Sequence, residues 1–171
     1  EKKERPKELY GEFDVTVVCD RSSSMRESDE AGAVKYVEQK KAAVLVLEAL
    51  REFSIDLEDA RRDLQYDLRV RTEVRSFGSD AQVEILKPLS EELTERQRVA
   101  VFKALDDVPG STKDFLSLEQ LQDSIPPEDY EKISAKKLRK IVMILSDGNS
   151  DDPARASKAA NGLREKGVIV F

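Results

Sequence analysis

The chain has 171 residues, 39% hydrophobic and 37% charged, with a net charge of −6 and no histidine. That is enough apolar material for one domain with a sizeable core. It excludes His-based catalysis and His-containing zinc sites, and the charges mix in sign, leaving no basic face of the kind a nucleic-acid binder shows. The single cysteine, Cys19, rules out an intrachain disulfide and is compatible with a cytoplasmic setting. No run approaches the roughly 18 apolar residues of a membrane span.

Residues 1–12 read as a polar tail or linker, and the absence of an initial Met fits a piece of a longer protein. "FDVTVVC" (13–19) is β-branched and almost continuously apolar, the pattern of a strand buried on both faces. Residues 34–53 carry apolar side chains at helical spacing and predict a long helix, followed by a polar connection. In "YDLRVRTEVRSFG" the charged residues Arg69, Arg71, Glu73 and Arg75 alternate with Leu68, Val70, Thr72 and Val74, which predicts a half-exposed strand near an edge. A turn at 78–80 and an antiparallel strand at 82–87 follow. Ser90 is the expected N-cap of the next helix, which ends before "PGST". "KDFLSLEQLQDSI" predicts an amphipathic helix stopped by Pro126 and Pro127, with a single helical turn and a loop after it. "RKIVMILSDG" (139–148) is a second buried strand. A helix between Pro153 and Gly167 and a last strand, "VIVF", complete the chain. Met25, Phe53, Phe77 and Phe102 are assigned to the core. Strands alternating with helices of this length define an α/β fold: three layers, Rossmann-like, with a mostly parallel sheet and one antiparallel edge strand.

The chemistry lies at two strand ends. Asp20 and Asp147 each stand one step past a buried apolar run, and ligands of such sheets gather at the carboxyl ends of the strands, where strand order reverses. Two carboxylates about 4 Å apart repel by roughly 4 kcal/mol at an effective dielectric near 20. A proton, a basic side chain or a bound cation must therefore neutralise them. Ser22 and Ser24 alternate past Asp20 and can aim their hydroxyls with the acid. These hard oxygen donors suit Mg²⁺ or Mn²⁺, with Ca²⁺ as an alternative, and do not suit copper or zinc. Arg21 competes as neutraliser, but its side chain should diverge from that of its neighbour. The bland alternative is that Ser22, Ser23 and Ser24 only turn the chain into the next helix. Asp151, Asp152 and Asp114 read as helix-terminal acids.

Asp20-Arg21-Ser22-Ser23-Ser24, then Thr112 in "GST", then Asp147 in "LSDG" together resemble the metal-ion-dependent adhesion site (MIDAS) of the von Willebrand factor A (vWA) domain family. The resemblance covers residues 13–171, and "RSFGSDAQVEILKPL" is similar to the family's second and third strands. Family members often carry Gly where Ser23 and Ser111 stand. The resemblance implies that Ser22, Ser24 and Thr112 supply hydroxyl oxygens to a divalent ion, that Asp20 and Asp147 bind it directly or through water, and that one position stays open for a Glu or Asp of a partner protein. It also implies a domain that continues past Phe171 with the rest of that strand, another helix, a last strand and a closing helix. The function implied is a non-enzymatic interaction module, in bacterial relatives often an accessory to an AAA-class ATPase or a chelatase-like system. The alternative is a metal-dependent hydrolase or phosphatase; against it, no phosphate-cradling Gly-x-x-x-x-Gly-Lys loop and no histidine base is present.

Overall fold

The structure is a computed structural model that describes residues 11–60, 68–78, 83–106, 108 and 110–171. Five strands form one sheet in the order β3-β2-β1-β4-β5: β1 (Glu12–Asp20), β2 (Arg69–Phe77), β3 (Glu84–Ser90), β4 (Leu138–Leu145) and β5 (Ile169–Val170). β1 pairs in parallel with β2 on one side and β4 on the other, β5 is parallel to β4, and β3 is the antiparallel edge. The helices are α1 (Lys35–Ala60), α2 (Glu95–Ala104), α3 (Asp114–Ser124), α4 (Pro127–Ser134) and α5 (Pro153–Glu165), and a short 3-10 turn covers Ser23–Arg26. Among the described residues no helix is long and apolar enough to cross a membrane.

The alternation of β1 sends Val15, Val17 and Cys19 to one face, where they pack with Ala43 and Leu47 of α1 and Val101 of α2. Val18 faces the other way, into a cluster with Leu118, Leu121, Ile133, Val142 and Leu163. Two helical layers thus cover the sheet, as expected for parallel strands. The chain leaves β1 for β2 on one side and later returns to β4 on the other. The carboxyl ends of β1 and β4 therefore flank the point where strand order reverses.

Several local expectations need correction. β2 is not half-exposed: Glu73 and Arg75 are buried and Arg71 is partly so. Its charged face lies inside the molecule, because cations and acids of adjacent strands answer one another there. Arg71 forms two hydrogen bonds to Asp14, at 2.7 and 2.9 Å, Lys140 of β4 reaches the same carboxylate at 3.1 Å, and Arg75 pairs with Glu73 at 2.9 Å. The second helix is capped by Thr94 rather than Ser90. Thr94 and Gln97 form a capping box, and Ser90 ends β3 instead. α1 runs on to residue 60, and the segment after Pro126 makes a full short helix. Met25 and Phe77 are core residues, whereas Phe53 and Phe102 are about two-fifths exposed, at 42% and 41%. The turn expected at 78–80 and residues 1–10 of the expected tail fall largely outside the described residues.

Candidate functional site

β1 ends on Asp20, whose side chain is fully buried. The backbone turns at once. The Ser22 amide donates to Asp20 Oδ1 at 2.7 Å, and the hydroxyl of Ser146, one residue past β4, donates to Oδ2 at 2.8 Å. Ser22 and Ser24 sit on the same side of that turn, with their Oγ atoms 3.0 Å apart. Asp147 follows Ser146, and Ser24 hydrogen-bonds to its carboxylate. Asp20, Ser22, Ser24 and Asp147 are thereby joined into one hydrogen-bonded group, built from the ends of two adjacent strands.

Thr112 arrives from the loop before α3. That loop is tied to the first turn by the Ser23 amide, which donates to Gly110 O at 2.7 Å, and to the β4 loop by the Asp151 amide, which donates to Thr112 O at 3.0 Å. Thr112 is 7% exposed. Among the described residues its hydroxyl forms no hydrogen bond to either acid, so its segment borders the group without being bonded into it. Beside it, Ser111 Oγ is buried without a hydrogen-bond partner among the described residues.

Burial drives the Asp20 carboxyl above its ordinary value of 3.8; hydrogen bonds from Ser22 and Ser146 oppose this, and the Asp147 charge adds to it. For Asp147 burial also acts upward. The hydrogen bonds from Lys35, the Asn149 amide and Ser24 outweigh it, and the carboxyl lies below its ordinary value. Arg21 diverges as anticipated, to Glu84 at 2.5 Å and Ser76 at 3.4 Å. Among the described residues no cation pairs with Asp20.

Three residues of the site escaped sequence reasoning. Lys35 Nζ lies 2.9 Å from Asp147 Oδ2 and 3.4 Å from Glu27 Oε2. Gln39, one turn further along α1, donates through Nε2 to the carbonyls of Asp20 at 2.9 Å and Leu145 at 3.0 Å, clasping the ends of β1 and β4. Gly78 lies so close to the Asp20 turn that a Cβ there would fall 2.3 Å from the carbonyl carbon of Arg21 and 2.7 Å from the Ser22 amide, and its φ of +132° is one that L side chains rarely adopt. A glycine directly after a buried strand was the available signal for Gly78. For Lys35 it was a cation in the first turn of a helix, against the dipole.

The donor set decides what fits. Two carboxylates and several hydroxyls converge; among the described residues no group of three or more Cys, Asp or Glu side chains is placed to hold a metal ion, so hydroxyls would have to complete any ligand set. Hard oxygen donors with a surplus of negative charge suit a divalent ion of the Mg²⁺, Mn²⁺ or Ca²⁺ type.

With this geometry in place, the comparisons are specific. A family profile for the von Willebrand factor type A domain matches residues 14–171. The chain belongs to that family, whose domains are typically metal-dependent protein–protein interaction modules rather than enzymes. An uncharacterized protein of Treponema pallidum (strain Nichols) is 26% identical over 162 residues, which are 94% of this chain and 26% of that protein. The chain thus spans about a quarter of that relative. Among solved structures, an aerotolerance-related membrane protein from Bacteroides fragilis aligns with a TM-score of 0.62 at 12% identity, over 92% of this chain and 65% of that one. Manganese-loaded TRAP protein of Plasmodium vivax gives 0.57 at 15% identity, over 94% and 56%. Proximal thread matrix protein 1 from the mussel byssus, with a zinc-occupied MIDAS motif, gives 0.56 at 20% identity, over 95% and 37%. At these identities the structures share the fold with this chain.

Proposed function

We propose that this domain binds a divalent cation at the switch point between β1 and β4 and uses it to hold a carboxylate of a partner protein. Ser22, Ser24 and Thr112 would offer hydroxyl oxygens, and Asp20 and Asp147 would bind the ion directly or through water. This is the arrangement of a metal-ion-dependent adhesion site. The observation that carries the reading is Asp20: a fully buried carboxylate, beside a second acid and two hydroxyls, with no cation paired to it among the described residues. An uncompensated buried anion is costly, and a divalent ion would offset that cost.

When bound, the ion supplies a Lewis-acidic position that a partner's Glu or Asp can occupy. The protein's own part is to orient the oxygens. Gln39 holds the two strand ends in register, the Ser22 amide and Ser146 hydroxyl fix the Asp20 carboxylate, and Gly78 lets the turn pass close to β2. Mg²⁺ suits the set best, because it keeps several waters and needs few carboxylates, and Mn²⁺ substitutes for it. The zinc in the MIDAS of the mussel byssus protein and the manganese in the Plasmodium protein support a divalent ion, and of the two only the manganese belongs to the hard class these oxygens favour. The same chemistry serves an accessory to an AAA-class ATPase, the partner then being the ATPase or its client. Residues 13–171, together with Glu12 at the start of β1, would form the binding unit.

Calorimetric titration with Mn²⁺ and Mg²⁺ tests the ion: wild type binds, Asp20→Ala does not, and circular dichroism of the variant is unchanged. Water-proton relaxation of the Mn²⁺-loaded domain then tests the open position. A Glu-containing peptide lowers the relaxation enhancement by displacing water, and the same peptide with Gln leaves it alone. No heat at millimolar ion would overturn the reading.

A further inference from the structure

Lys35 is the first residue of the 26-residue helix α1. A cation is unfavourable there, because the amino end of a helix already carries partial positive charge. Its placement is accounted for by what it touches. Nζ donates to Asp147 Oδ2 at 2.9 Å, and the Asp147 side chain is only 6% exposed. Lys35 and Gln39 lie on one face of the helix, four residues apart. Since Gln39 is bonded to the ends of both β1 and β4, α1 delivers the ammonium to the acid from a fixed base. Both residues line a cavity of about 200 Å³ together with Met25, Leu145, Ser146 and Asp147.

We propose that Lys35 is an internal counter-ion of this site: it holds Asp147 while no divalent ion is bound and competes with the ion for that carboxylate. The inference rests on the metal-binding reading above and adds to it a residue that sets the ion's affinity. A divalent cation that takes Asp147 meets the ammonium as a like charge at close range, so the lysine must give way. A second seat is at hand. Glu27 Oε2 is 3.4 Å from Nζ on the solvent side, and its side chain is 69% exposed. The lysine has a flexible four-carbon stem, so the shift from Asp147 to Glu27 needs rotamer change alone. The site thus exchanges one internal charge for a doubly charged guest, and the affinity for that guest is lower than the oxygen set alone would give.

The test compares wild type with Lys35→Met, Lys35→Arg and Glu27→Gln, by Mn²⁺ calorimetry in chelator-stripped buffer and by thermal unfolding in EDTA and in excess Mn²⁺. Lys35→Met is expected to bind Mn²⁺ at least tenfold more tightly than wild type, to unfold at a lower temperature in EDTA, and to recover fully in Mn²⁺. Lys35→Arg keeps the charge and stays within about threefold of wild type. Glu27→Gln removes the second seat and binds several-fold more weakly. If Lys35→Met is too unstable without metal, Lys35→Gln is read by the same criteria. Binding by Lys35→Met equal to or weaker than wild type overturns the counter-ion while leaving the metal site standing. Binding by the variant where wild type is silent supports it. Silence from folded wild type and variant alike overturns the metal site and the counter-ion with it.

Discussion

Strand β1 carries a buried aspartate near each end, Asp14 and Asp20, both 0% exposed and both on the same face of the sheet. Their surroundings are opposite. Asp14 is held by the two-pronged guanidinium of Arg71 and by the ammonium of Lys140. Asp20 receives a backbone amide and serine hydroxyls, and among the described residues no cation pairs with it. At the amino end of the parallel strands the protein supplies the counter-charge itself. At the carboxyl end it supplies dipoles and leaves the charge open. An interior acid answered by the protein's own cations is balanced within the fold, and one answered only by donors keeps an unbalanced charge. Asp147 stands between the two cases, since Lys35 answers it from a helix end and has Glu27 as an alternative partner.

The largest effect separates these roles directly. Asp14→Ala leaves the buried Lys140 ammonium without its carboxylate and Arg71 with only the more distant Glu12 and Asp129, at 3.6 and 3.9 Å, and removing one partner of a buried pair costs about 3–5 kcal/mol. Urea unfolding of the metal-free protein should show that loss. A change below about 1 kcal/mol would place Asp14 in the same class as Asp20 and remove the contrast. Gly78→Ala comes next. A Cβ 2.3–2.7 Å from the backbone of Arg21 and Ser22, at a φ of +132°, forces the Asp20 turn away from β2. Backbone strain of this kind costs about 1–3 kcal/mol, and because the displaced atoms carry the first serine, Mn²⁺ affinity should fall along with the melting temperature. A variant that loses stability but keeps full affinity would show that the turn is not what places Ser22.

Asp20→Asn is expected to change stability by no more than about 1 kcal/mol in EDTA, since the shape is kept and an unpaired buried charge is removed, while calorimetric Mn²⁺ binding disappears. Thr112→Val is milder still. It keeps the branched shape in a buried position and deletes one hydroxyl. The domain should melt as wild type does, with Mn²⁺ affinity about tenfold weaker, or about 1.4 kcal/mol. Unchanged affinity would remove Thr112 from the ligand set and leave the group bonded around Asp20 and Asp147 as the whole site.

The contrast also explains what the sequence could reveal. An acid at or just past the end of an apolar run is a local signal, and it pointed to both Asp20, directly after Cys19, and Asp147, one serine beyond Leu145; the structure puts Ser22 and Ser24 on one side of the turn after Asp20. The parallel order of the strands and the antiparallel edge were readable from alternating strand and helix patterns. The buried ion pairs of β2 were not. Arg71, Glu73 and Arg75 alternate with apolar residues as they would on a solvated face, and only the neighbours Asp14 and Lys140, far away in the chain, turn that face inward. Lys35 and Gln39 were missed for the same reason. Each reads as an ordinary polar position of a charged helix until the strand ends it reaches are known. The Thr94 cap was legible, with Gln97 in the required place, and the earlier Ser90 obscured it.

The smallest expected effect concerns pH and probes whether the buried charge on Asp20 is costly. Its folded carboxyl lies above the ordinary 3.8, chiefly through burial. Between 3.8 and the folded value the native state therefore holds more protons than the unfolded chain, and the stability contributed by this group rises as pH falls through that window. Asp147, held below 3.8, acts with the opposite sign, and its contribution is lost only in stronger acid as pH falls through its folded value. In EDTA, then, the melting temperature of wild type relative to Asp20→Asn should climb as the solution is acidified from neutrality toward pH 4, because only wild type has the strained carboxylate to relieve. With Mn²⁺ in excess the trend should invert, since ion and proton compete for the same oxygens and the ion's stabilisation fades in acid. A difference between the two proteins that ignores pH in EDTA would mean that the dipoles of Ser22 and Ser146 already compensate Asp20 in full. The electrostatic reason for a cation at that end of the strand would then be gone.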